Sequence, residues 1–114
     1  MAVSSGIIAL SSYDVPASEA TAYTVGSGIV RFRIDQASVT NYTGTARDLT
    51  VYLLQSSDSV VNRTKAVDAL NIPANTTVPL FELVGRAIDN TGIINAFASA
   101  ASALALSVTG TTFT

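Results

Sequence analysis

Residues 71–108 read NIPANTTVPLFELVGRAIDNTGIINAFASAASALALSV, and their patterning decides the fold class. Ile72-Pro73-Ala74-Asn75 predicts a turn, because proline fixes φ and Asn tolerates turn geometry. Residues 76–83 predict a strand with Val78 and Leu80 as apolar anchors. Asp89-Asn90-Thr91-Gly92 predicts a second turn, with glycine where positive φ is often needed. Residues 93–98 predict the next strand, 99–102 a reversal and 103–108 the return. In that last strand Leu104, Leu106 and Val108 fall on one face at period two, with Ala103, Ala105 and Ser107 on the other. Residues 93–98 and 103–108 therefore read as a hairpin. A rival stays open: Ile93, Phe97, Ala101, Leu104 and Val108 are also spaced for one helical face, and Ala favours helix. The alternation in ALALSV and the Ser-Ala punctuation favour the hairpin.

Upstream, residues 29–39 are the clearest strand. Val30, Phe32 and Ile34 point one way, and Arg31, Arg33 and Asp35 the other, so Phe32 belongs in the core. Residues 41–45 form a loop, and 49–54 read as the partner strand. Leu49, Val51 and Leu53 face inward there, with Thr50 and Tyr52 outward. A polar loop covers 55–65, followed by a strand or helical turn over 66–72. Residues 1–27 look like an extended arm with one or two edge strands. Ile7, Ile8 and Leu10 form an apolar knot in it, and Tyr13-Asp14-Val15-Pro16 reads as a turn. The expected fold is all-β, a small antiparallel β-sandwich of jelly-roll or immunoglobulin-like type with seven or eight short strands. It is a single domain, divided into an N-terminal arm and edge strands (1–27) and a sandwich core (28–114).

Composition narrows the function. The chain has 114 residues, enough for one core, and no Cys, so neither a disulfide nor a thiolate metal site is available. No run approaches the roughly 18 apolar residues of a membrane span. The start lacks a basic region ahead of its short apolar run, which argues against a secretory signal. Only 12% of residues are charged, against 48% apolar, and the mean hydropathy is +0.43. A net charge of -2 is too weak to target nucleic acid or anionic lipid. Ser and Thr number 27, nearly twice the charged residues. Free domains usually stay soluble through mixed surface charge. So few charges fit either a Ser/Thr-rich β surface or a surface covered by partners.

Candidate chemistry is sparse. There is no His, so Ser-His-Asp and Cys-His arrangements are impossible. The eight carboxylates, Asp14, Glu19, Asp35, Asp48, Asp58, Asp68, Glu82 and Asp89, fall mostly in turns or on outward strand faces. No enzymatic activity and no cofactor or metal is expected. Asp89-Asn90-Thr91 could offer oxygens to Ca²⁺, but it lacks the EF-hand spacing and reads as an Asx turn. Three N-glycosylation sequons, at Asn41, Asn62 and Asn75, read as chance matches in a Thr- and Asn-rich chain. Tyr13, Tyr23, Tyr42 and Tyr52 would make a sugar-binding platform if they converged. Arg31 and Arg33 share one exposed face beside Asp35. They suit either a carboxylate on a neighbouring subunit or cross-strand charge pairing within the sheet, and the second is favoured.

One resemblance adds to this reading. Ile72, Pro73, Ala74, Thr76, Thr77 and Val78, then Gly92, Ile94, Ala96, Ala98 and Ser99, then Val108, Thr109 and Gly110, resemble a module of small β-sandwich virion proteins of tailed bacteriophages. Ile93 stands where that family has an acid. The resemblance implies a structural virion protein, made in the host cytoplasm: a capsid decoration or neck-collar protein in many symmetric copies. Its partners would be further copies (a homo-oligomer) and other virion proteins such as capsid, portal or tail components, with no nucleic acid and no membrane. Ile7, Ile8, Leu10, Arg31 and Arg33 are the candidate subunit contacts. On that reading residues 1–12 could be deleted without unfolding the sandwich. The alternative is a receptor- or glycan-binding module of a fibre or tail tip, with an aromatic-lined site at Tyr42 or Tyr52.

Overall fold

The computed structural model describes residues 2–61 and 64–114, so the Asn62 sequon lies outside the described residues. Nine strands follow one another among them: β1 (Val3–Asp14), β2 (Ala20–Thr24), β3 (Arg31–Asn41), β4 (Arg47–Leu54), β5 (Lys65–Ile72), β6 (Thr76–Pro79), β7 (Ala87–Asp89), β8 (Ile93–Ala98) and β9 (Leu104–Phe113). A five-stranded sheet has the order β1-β9-β3-β6, with β7 also on β3. A four-stranded sheet has the order β2-β8-β4-β5. All pairings are antiparallel. Two facing sheets wound in this order make a double-sheet jelly roll. Of the two sandwich types expected, the chain takes this one.

The core lies between the sheets. Phe32, Ile34 and Val39 of β3 and Leu104, Leu106 and Val108 of β9 come from one side, and all six are fully buried. Leu49 and Val51 of β4 and Ile94 and Ala96 of β8 come from the other, equally buried. The Tyr23 ring from β2 meets Phe32 from β3 at 5.2 Å between centroids, joining the two sheets. Burial also pushes the Tyr23 phenol above its usual pKa. Val30 departs from expectation: it precedes β3 and is 58% exposed.

Two expected pairings are corrected. Residues 49–54 form a strand, but β4 pairs with β5 and β8 and not with β3. Residues 93–98 and the stretch from Leu104 are strands, which removes the helical rival, yet β8 and β9 belong to different sheets. Alternation reports which face of a strand meets the core, not which strand stands beside it. An arch of residues 99–103 bridges the sheets, which stack about 10 Å apart. Five residues reach that far easily at roughly 3.3 Å each.

The strand predicted over 76–83 also ends early, at Pro79, and the unpredicted β7 raises the count above seven or eight among the described residues. Leu80 N–H still donates to Ala37 O (2.9 Å), and Gly85 N–H donates to Ile34 O (2.7 Å). Between them, turn bonds from Leu83 N–H to Leu80 O and from Val84 N–H to Phe81 O lift the chain off the sheet. Leu80 and Leu83 are both fully buried. Three residues apart, they cannot share one face of a strand, whose period is two. Gly85 at φ +84 returns the chain to β7. Opposite this excursion β3 has an irregularity between Ile34 and Gln36. Its buried positions change parity there, from Phe32 and Ile34 to Ala37, Val39 and Asn41.

Turn chemistry differs at one glycine. In the turn of residues 89–92 the positive φ is at Thr91 (64°), not at Gly92. Gly92 is needed for space: a Cβ there would collide with Ile88 Cγ2 and stand 2.7 Å from Leu54 O.

One edge strand of each sheet comes from residues 1–27. β1 pairs with β9 from Val3 opposite Phe113 to Asp14 opposite Ala105, with three register shifts. β2 pairs with β8. Leu10 and Val15 enter the core. Asn41, at the end of β3, is fully buried. Its side-chain amide donates to Thr45 O and Ile72 O, and its Oδ1 accepts from Thr43 N–H and Oγ1. That sequon offers no free amide to a glycan.

Candidate interaction face

The two outer faces of the sandwich are treated differently. On the four-stranded sheet the outward positions of β4 were expected to be exposed, but Thr50 and Tyr52 are only 4% and 8% exposed. Thr50 Oγ1 accepts from Ala69 N–H, and the Tyr52 ring stacks on Phe97. The chain covers this face itself.

The five-stranded sheet has an open outer face, described by the strand register. Its first row is Val3, Phe113 and Arg31. Then come Thr111 with Arg33, Ile8 with Thr109 and Gln36, and Ser107 with Ser38 and Pro79. The last row is Asp14, Ala105 and Thr40. Charge therefore sits at the two ends of the face, and its middle is uncharged.

At one end, Arg33 Nε donates to Asp35 Oδ1 at 2.9 Å, and the Thr111 hydroxyl donates to Asp35 Oδ2 at 2.6 Å. The Thr111 and Arg33 hydrogen bonds hold the Asp35 carboxyl below its usual pKa, and the Arg33 charge adds to this. The guanidinium carbons of Arg31 and Arg33 lie 5.2 and 5.8 Å from the Phe113 ring centroid. Such contacts contribute about 0.5–1 kcal/mol at exposed sites. Arg33 thus finds its carboxylate on its own strand, two residues on, and not on a neighbouring strand, and Arg31 rests on Phe113.

At the other end the Tyr42 hydroxyl donates to Asp14 Oδ1 at 2.7 Å, which raises the phenol's pKa. Tyr52 is buried on the opposite sheet and Tyr23 is packed against Phe32, so the tyrosines form no shared platform. The carboxylates are similarly scattered. Asp48 accepts from Asn71, Asp68 pairs with Lys65, and Asp89 accepts from Ser56. Asn90, the middle of the suspected cation loop, donates its amide to the carbonyls of Gly26, Ser27 and Ile29. Among the described residues no three His, Cys, Asp or Glu side chains come together as a metal-binding group.

The uncharged middle holds a hollow of about 350 Å³, lined by Gln36 and Ser38 of β3, Ser107 and Thr109 of β9, and Phe81 and Val84 of the excursion. Phe81 is 76% exposed. Of the sequence-derived contacts, Ile8 is on this face and 65% exposed, Ile7 is half-buried, and Leu10 is in the chain's own core. Arg31 and Arg33 lie at its end. Phe81 was missed because it was assigned to the strand over 76–83, and Val84 because it falls just past that strand; the Leu80–Leu83 spacing was the available signal.

No family model matches the chain, and no curated protein matches it. Among solved structures it is similar to "Structure of infectious bursal disease virus Gx strain", at 16% identity, over 97% of this chain and 31% of that one, with a TM-score of 0.49. It is also similar to "Crystal structure of infectious bursal disease virus VP2 subviral particle", at 16% identity, over 97% and 32%, with a TM-score of 0.43. The chain spans about a third of the length of these structures.

Proposed function

We propose that the chain is a non-enzymatic structural component of a virus particle, of the tailed-phage decoration or neck-collar kind, that stabilises the particle through repeated subunit contacts. The observation that carries this reading is the open face of the five-stranded sheet. Its middle has no charged side chain, and Val3, Ile8, Phe81 and Val84 stand exposed on it or at its edges. Depletion of charge at the centre is what distinguishes an interface core from ordinary surface. Two weaker supports agree. The jelly-roll strand order recurs in capsid proteins, an analogy of fold and not of site. The resemblance of residues 72–110 to phage virion modules points the same way.

Mechanistically, each copy would bury this face against neighbours, and the bound state would gain stability by linkage. The test is immunogold labelling of purified particles with an antibody to the chain. Labelling at regular positions supports the reading. Intact particles that carry none of the chain, while it accumulates free in infected cells, overturn it.

A further inference from the structure

We propose that residues 3–10, the first part of β1, exchange between copies, so that this arm of one chain completes the five-stranded sheet of the next. This rests on the assembly reading above and specifies one of its contacts.

The arm is held at an edge. In its sheet β1 pairs with β9 and with no other described strand. Of residues 3–10 only Leu10 is buried; Ile7 and Ala9 are half-buried and the rest are exposed. What binds the arm is therefore mainly the backbone ladder to residues 108–113. The β9 of another copy offers the same ladder and the same seat for Leu10. Exchange conserves the arm's contacts and alters only the connection, which makes it a low-cost route to association.

The connection has a built hinge. Leu10 stands opposite Val108 and Tyr13 opposite Leu106, so β1 takes three steps where β9 takes two. The extra residue breaks the ladder. Ser12 lies at this break with φ 52, a left-handed conformation unfavourable for any residue but glycine. Its N–H donates to the Ser107 hydroxyl and not to a backbone carbonyl. Just beyond, the chain is fixed again. Val15 is fully buried and its N–H donates to Leu104 O at 2.9 Å, while Pro16 O accepts from Ala98 N–H at 2.8 Å. A weak joint thus separates a detachable arm from an anchored root.

The arm has no reason to stay free. Residues 2–13 carry no charged side chain, and an unpaired strand without charge seeks a sheet edge. In dilute solution the chain's own β9 wins, because the short tether holds the arm at an effective concentration on the order of millimolar. Copies packed side by side on a particle present their neighbours' edges at comparable concentration. Opening the hinge then releases Ser12 from its left-handed conformation, and that tips the choice toward the neighbour.

The experiment uses disulfides as reporters, since the chain has no Cys. Ile8 and Thr109 are cross-strand partners, and opposite residues of an antiparallel pair stand within disulfide reach. Ile8→Cys and Thr109→Cys chains, one of them tagged to change its mass, are unfolded together in urea, refolded at about 100 μM and oxidised. Exchange predicts a mixed disulfide dimer well above that given by Ile8→Cys with Val60→Cys, a position away from β9, and little of it after refolding at about 1 μM. Adding Ser12→Pro, which forbids the left-handed hinge, should raise the mixed dimer about tenfold, and Ser12→Gly, which fits it, should lower it. Urea melts verify that each variant folds. A mixed dimer no stronger than the Val60→Cys control, or one that folded Ser12→Pro and Ser12→Gly chains leave unchanged, overturns the proposal. If that happens while particles still label with the antibody, exchange falls and the virion reading stands. If the hinge-dependent mixed dimer forms but particles never label, the virion reading falls and exchange stands.

Discussion

The ring of Phe32 lies so close to Gly110 that a Cβ added there would stand 2.5 Å from Phe32 Cζ and would also strike the Arg33 carbonyl oxygen. Two adjacent strands are locked by one missing methyl group. Gly110→Ala should therefore destabilise the fold by about 1–3 kcal/mol, as overpacking does. Phe32→Ala should cost about 3–5 kcal/mol through the cavity it leaves. Urea melts of the double variant should show less than the sum, because losing the ring removes part of the clash. Arg31→Ala should cost well under half of Phe32→Ala.

The turn before β8 gives a paired test. Gly92→Ala pushes a Cβ into Ile88 and Leu54 and should lower stability by about 1–3 kcal/mol. Thr91→Gly relieves a β-branched residue at φ 64 and should be within about 1 kcal/mol of neutral. Equal losses in thermal melts would place the strain at the wrong residue.

Asp35 makes stability depend on pH in the acid range. Its folded pKa lies below the unfolded value of about 3.9. The stabilisation is thus present above the unfolded value and is lost as pH falls through the folded one. Thr111→Val removes the largest cause of the depression. Carboxyl NMR should then show Asp35 titrating higher, with less of the stability dependent on acid. An unchanged titration would assign the shift to Arg33 alone.

Deleting residues 1–12 should destabilise the sandwich and not merely weaken assembly. It removes most of β1, uncovers the edge of β9 and takes Leu10 from the core. The expected readout is a clearly lower urea midpoint. A truncated chain that melts with the full chain would restore β1 to the role of a dispensable arm.

What the sequence made legible was local. Residues 93–98 emerged as a strand with the expected bounds, and Phe32, Leu49, Val51 and Leu104 as core. Period-two alternation suffices for that. Sheet membership was hidden because β3, β4, β8 and β9 all turn one apolar face inward, and any of them could pair with another. The interaction face was half visible. Ile8 and the arginine pair could be named from exposure patterns. Phe81 could not, since its position follows from Leu80 and Leu83 both reaching the core across a turn.

The strand order has a consequence for biosynthesis. Among the described residues only β4 and β5 are consecutive strands that pair with each other. β9 stands between β1 and β3, so the five-stranded sheet has no middle until the ribosome has released residues 104–113. At about 5–20 residues per second, β1 waits several seconds for its partner. During that interval β1 has no partner, and β3 has only β6 and β7 on its other side. Few local contacts are available to hold the nascent chain, and folding governed by distant pairings is slow. A stalled or truncated nascent chain would therefore have sticky edges, and a chaperone that shields them would raise the yield of folded protein more than any stabilising core substitution.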